Sequence, residues 1–235
     1  PEISILALSA AAIAFVHTIL GPDHYLPFVA MAKARGWSLS KAIRVTLVCG
    51  MGHLAGSVLL GIAGITLGVQ LASLEWLESV RGNLAAWLLI GFGLAYFAWG
   101  LGQAYKNRPH SHWHSHDGVI HEHVHRHHRD HAHVHDQAAR PKSLAPWVIF
   151  VIFVLGPCEP LIPLLMYPAA RESYAGVLLV TGVFGLVTVL TMVLVVALAV
   201  AGLGAFRLNR FERYGHAVAG SAILACGLAI VFLGT

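Results

Sequence analysis

The sequence predicts an all-α polytopic membrane protein: six transmembrane helices forming two inverted three-helix repeats, each with a broken first helix. Three observations predict it. The first is composition: 57% of the chain is hydrophobic and 11% charged, with a mean hydropathy of +0.71, whereas a soluble domain needs a charged surface. The second is a proline-broken motif, Leu20-Gly21-Pro22-Asp23-His24-Tyr25-Leu26-Pro27. A close relative, Leu155-Gly156-Pro157-Cys158-Glu159-Pro160-Leu161-Ile162-Pro163, returns about 135 positions later. The third is the placement of basic residues: of the 15 Lys and Arg, all but Arg81 and Arg171 fall in three inter-span loops.

In chain order, the apolar runs expected to cross the bilayer are 3–32, 42–69, 84–104, 145–167, 174–203 and 216–233. The first lacks the basic flank and small-residue cleavage site of a secretory signal, so it is expected to stay as a span. The basic loops follow the first, third and fifth spans. Positive charge beside a span resists translocation, so these loops are expected in the cytoplasm and both termini outside it, in the inner (plasma) membrane of a prokaryote. The formal charge of +4 then reflects topology, and nucleic acid is not an expected partner. Cys49, Cys158 and Cys226 all lie in apolar runs, which excludes a disulfide framework.

Three regions follow: a first three-helix repeat over 1–104, a cytoplasmic linker over 105–143 and a second repeat over 144–235. Two further matches between the halves, Gly93-Leu94-Ala95 with Gly227-Leu228-Ala229 and Leu47-Val48 with Leu179-Val180, keep nearly the same offset. An odd number of spans per copy inverts the second copy, which puts a substrate site at the midplane where broken helices meet. The spacings Gly52-x-x-x-Gly56 and Gly64-x-x-x-Gly68 read as close helix packing.

The linker holds twelve of the chain's 16 histidines: His110, His112, His114, His116, His121, His123, His125, His127, His128, His131, His133 and His135. It has few apolar side chains to bury and reads as a disordered tether without a ligand. Many neutral imidazoles on one tether raise local metal concentration, so its expected role is metal capture. A pH-sensing tether is the other role such a segment could serve.

The intramembrane polar set is His17, Asp23, His24, His53, Cys158 and Glu159. A carboxylate at a helix centre costs about 2.5–3.5 kcal/mol on insertion scales, so such residues need a reason. One reason is hydrogen bonding between spans; the other is a site. Depth favours a site: at 1.5 Å per residue His17, His53 and Cys158 each lie about 17–20 Å into their spans, near the middle of a hydrocarbon core about 30 Å thick. Gly21 and Pro22, with Gly156, Pro157 and Pro160, break the helices beside them and free backbone groups. Imidazole, thiolate and carboxylate together suit a borderline divalent ion, Ni²⁺, Co²⁺ or Zn²⁺ and also Cu²⁺, expected as substrate with no prosthetic group. Glu159 suits a ligand, a partner of a ligand or a proton carrier. Cys49, Cys226 and His216 read as packing or interfacial residues.

At these residues the chain resembles the nickel/cobalt transporter superfamily. His17-x5-Asp23-His24 is similar to the permease signature His-x4-Asp-His, one residue longer. The six-span layout and histidine-rich loop are similar to the efflux branch, whose early histidine, second-span histidine and proline-cysteine motif match His17, His53 and Cys158. That resemblance implies export of Ni²⁺ or Co²⁺, with protons as the coupling ion, by a transporter and not an enzyme; a homo-oligomer is compatible with it. Gly156-Pro157-Cys158-Glu159-Pro160 also resembles the motifs of membrane thiol-electron carriers of cytochrome biogenesis. In those carriers each inverted unit supplies one cysteine, whereas here Asp23 stands opposite Cys158. A metal-binding receptor without transport is the remaining alternative.

Overall fold

The computed structural model describes residues 2–106, 110–116, 119–125, 144–170, 173–205 and 212–233. Outside the histidine-rich linker, all of its regular structure is helical. Helix α1 (Glu2–Leu20) stops where Pro22 removes a backbone donor and forces Gly21 out of the helical region, to φ −88° and ψ 94°. A 3-10 turn over Pro22–His24 leads into α2 (Leu26–Arg35), and the chain bends by 84° across the break.

Helix α2 ends in a Schellman turn: Gly36 takes φ 59° and Trp37 N–H donates to Ala32 O at 2.9 Å. Ser38 then caps α3 (Leu39–Leu67) by accepting from Lys41 N–H, and Gly68, at φ 65°, closes the far end in the same way. Helix α4 (Leu71–Lys106) follows at once. After the linker come α5 (Ala145–Leu155), α6 (Leu161–Ala170), α7 (Tyr174–Ala205) and α8 (Gly215–Leu233).

Among the described residues four helices are long and apolar enough to cross a membrane, or five if the bent α1–α2 pair is one span. Large apolar side chains such as Leu8, Leu59, Trp87, Leu178 and Leu194 face outward. Such a surface calls for lipid in place of water, and the helices suggest a multi-pass membrane protein. The fourth run, 145–167, is broken where the second proline motif predicts: the segment 156–160 between α5 and α6 is non-helical, and each flanking helix is too short to cross alone. One sequence expectation needs correction. The third run begins at Leu71 and not near residue 84, so Arg81 lies inside α4 instead of in a loop. The helix tolerates that charge because Glu78, one turn earlier, pairs with it.

The most extensive packing joins α4 to α8. Glycine permits it: a Cβ at Gly93 would meet the backbone of Leu224, and one at Gly220 would meet the backbone of Phe97. Helix α1 packs on α7 and α5 on α3; α2 packs on α8 and α6 on α4. Two apolar clusters result. One joins Phe28, Met31, Leu89, Ile149, Phe153, Met192 and Ile223; the other joins Ala10, Ala14, Cys158, Leu161, Leu165 and Phe184.

The basic residues of the first loop gather at one end of this bundle. Lys33 Nζ donates to Leu203 O at 2.9 Å, near the end of α7, and Arg35 Nε donates to Tyr96 Oη at 3.2 Å. Tyr96 Oη is in turn 2.8 Å from His216 Nδ1 at the start of α8. In the linker, strands β1 (His110–His116) and β2 (Val119–His125) pair antiparallel, setting His110 opposite His125, His112 opposite His123 and His114 opposite His121. His127, His128, His131, His133 and His135 lie outside the described residues.

Candidate functional site

The break after α1 and the middle of α3 bring three imidazoles together. His17 stands in the last turn of α1, His24 in the 3-10 turn and His53 midway along α3. Ring centroids are 4.8 Å apart for His17 and His24, and 5.3 Å apart for His24 and His53, both edge-to-face. An unbroken helix would hold His17 and His24 about 10 Å apart along its axis. Asp23 completes the group, with Oδ1 3.3 Å from His24 Nδ1.

Backbone carbonyls fix the ring orientations. His24 Nδ1 is 3.1 Å from Gly21 O, and His53 Nδ1 is 3.3 Å from Phe153 O, at the end of α5. A carbonyl only accepts, so Nδ1 carries the hydrogen in each ring, and in the neutral ring the lone pair is left on Nε2. Nε2 of His17, His24 and His53 is buried without a hydrogen-bond partner, and the buried Asp23 Oδ1 has only the His24 ring beside it, at 3.3 Å. Buried polar atoms are normally satisfied, and three orphaned nitrogens on neighbouring rings ask for an explanation.

The explanation is a shared cavity of about 350 Å³, lined by His17, Asp23, His24 and His53. Ser79 and Asn83 of α4, with Pro157 and Glu159 of the second break, also line it. Both breaks need glycine here. A Cβ at Gly21 would collide with the His24 ring and the Asp23 carboxylate, and one at Gly156 would press on the His53 ring at 3.2 Å. Ile230 and Val231, close to the end of α8, also line the cavity. It therefore lies toward the end where α4 begins and α8 finishes, away from the cluster of Lys33, Arg35 and His216.

Five of the six sequence candidates thus meet at one cavity, with Glu159 exposed at its edge. Cys158 does not join them. It is fully buried among Ala10, Ala14, Leu161 and Phe184, turned away from the cavity its neighbours line. In a non-helical turn consecutive side chains diverge, so Pro157 and Glu159 can face the cavity while Cys158 faces the core. As the side chains stand, no three His, Cys, Asp or Glu groups among the described residues are arranged to hold one ion. Ligation at the imidazoles would require their rings to turn from edge-to-face toward a common point.

The sequence reading missed Ser57, Glu78 and Arg81. Glu78 is 1% exposed and bonds Arg81 Nη1 through Oε1 at 2.5 Å. Their spacing of three along an apolar stretch was the available signal, since such a pair shares one helix face. No protein-family model matches this chain, and neither a curated protein nor a solved structure does.

Proposed function

We propose that the protein is a membrane transporter of a divalent transition metal, Ni²⁺ or Co²⁺ foremost, with the ion passing through the cavity of His17, Asp23, His24 and His53. The observation that carries the reading is the set of three orphaned imidazole nitrogens beside a buried carboxylate on one cavity. Neutral imidazole nitrogens with a carboxylate suit a borderline divalent ion, while an alkali or alkaline-earth ion calls for oxygen donors. The carbonyls behind His24 and His53 are the outer partners that metal-binding imidazoles use to hold their tautomer. Glu159 at the edge is placed to accept the ion or a proton as the site changes state. Cys158 is not among the ligands in this reading.

Six helices in two inverted copies remain the architecture we favour, with α5 and α6 together as the fourth span. Exchanging α1–α4 with α5–α8 turns the α1–α7 contact into α5–α3 and the α2–α8 contact into α6–α4, and all four contacts occur. Rocking of the two copies about the cavity would give alternating access. With the basic end in the cytoplasm, the cavity lies toward the outer side and the histidine-rich linker joins α4 to α5 on the inner side. Metal gathered inside and a site reached from outside suit efflux.

The decisive experiment reconstitutes the chain in liposomes and measures Ni²⁺, Co²⁺ and Zn²⁺ flux beside His17→Ala. Native flux above empty liposomes and its loss in the variant are expected; equal flux in both would remove the site. An electron carrier would need a second sulfur near Cys158, yet Cys49 and Cys226 pack in the other apolar cluster.

A further inference from the structure

We infer that Ser57, Glu78 and Arg81 clamp the second helix break in its open form and so position Glu159 at the cavity; the positioning role rests on the transport reading above. The break between α5 and α6 leaves carbonyls at one helix end and N–H groups at the next without helical partners. Some are met locally, as Gly156 N–H donates to Ile152 O and Leu161 N–H to Cys158 O. Three others are met from the other half of the chain. Arg81 Nη2 donates to Val154 O at 3.0 Å and to Gly156 O at 3.4 Å. Cys158 N–H donates to Ser57 Oγ at 3.1 Å and to Glu78 Oε2 at 3.3 Å.

One ion pair therefore supplies a cation to the exposed carbonyls and a carboxylate to the exposed N–H, which is the polarity the two helix ends require. The first break needs no such help. There His24 N–H donates to Gly21 O and Tyr25 N–H to Pro22 O within the 3-10 turn. Glycine makes room for the clamp as well: a Cβ at Gly56 would meet Arg81 Nη2 and Val154 O, and one at Gly82 would strike the Pro157 ring at 2.8 Å. The Gly52-x-x-x-Gly56 spacing of α3 thus admits a guanidinium and the α5 backbone together.

The clamp is one-sided in its failure. Arg81 without Glu78, or Glu78 without Arg81, is a charge in a largely apolar setting without the partner that bonds it here. Loss of the clamp should let the break shift, moving Glu159 while His17, Asp23 and His24, held at the first break, keep their places. It should also uncover Cys158, which is now fully buried beside it.

The test uses the full chain in lipid nanodiscs and liposomes, with Cys49→Ser and Cys226→Ser as background so that Cys158 is the remaining thiol. Arg81→Gln and the milder Ser57→Ala are compared with that background for N-ethylmaleimide labelling, Co²⁺ affinity and Co²⁺ flux. Expected for Arg81→Gln is labelling at least about tenfold faster and flux about tenfold slower, the scale of one lost charge-assisted hydrogen bond, with affinity held within about threefold. Ser57→Ala should move the same way by less, and it carries the test if Arg81→Gln does not assemble. Labelling unchanged in the variants overturns the clamp, and so does a loss of affinity as large as the loss of flux. Faster labelling in a chain whose background form moves no Co²⁺ supports the clamp and removes the transport reading instead.

Discussion

Replacing His53 by leucine should make the metal-free protein more stable and abolish its response to metal. His53 is 4% exposed, with Nδ1 bonded to Phe153 O and Nε2 bare. An unsatisfied buried polar atom costs about 1–3 kcal/mol, whereas a made hydrogen bond contributes only about 0.5–1.5 kcal/mol. Leucine removes both, and Phe153 O keeps a second donor, Gly156 N–H at 3.1 Å. The balance favours the variant by about 1 kcal/mol, or a rise of roughly 2–4 °C in the unfolding midpoint for a chain this long. The native protein should instead be stabilised by metal, by about 2.7 kcal/mol at a hundred times its dissociation constant. Thermal unfolding in detergent with and without Co²⁺ reads both. A variant less stable than the native chain without metal would show that His53 serves packing, and a native midpoint indifferent to Ni²⁺ and Co²⁺ would refute the site.

Other perturbations separate the parts of the proposal. Cys158→Ser should retain most metal flux, because the thiol faces the apolar cluster and not the cavity; flux collapsing as far as in His17→Ala would return the sulfur to the ligand set. Deleting 110–135 should raise the metal concentration for half-maximal flux and leave the maximal rate largely intact, as loss of a capture segment does. A fallen maximal rate with unchanged half-saturation would contradict capture. Gly220→Val should cost about 2 kcal/mol or more in thermal stability, since its side chain would drive into the backbone of Phe97; a neutral result would mean that α4 and α8 pack less closely than described.

Proline, glycine and apolar content act through the local chain, so the sequence by itself determined where helices run and break. Pro22 ends α1 by its missing donor, the second proline cluster divides α5 from α6, and His17, Asp23, His24 and His53 were marked by their charge or polarity in apolar runs. Facing was not legible in the same way. A helix apolar on all sides carries little periodic contrast, so no pattern says which neighbour a side chain meets. Only the tertiary structure decided that three Nε2 atoms share one cavity, that Cys158 turns into the core between two residues that face the cavity, and that Arg81 belongs to a helix. Arg81 shows the physical reason most plainly. Its charge reads as a loop signal when counted alone. Its partners are Glu78 one turn away and the carbonyls of Val154 and Gly156, which lie far along the chain and become neighbours only when the two halves pack.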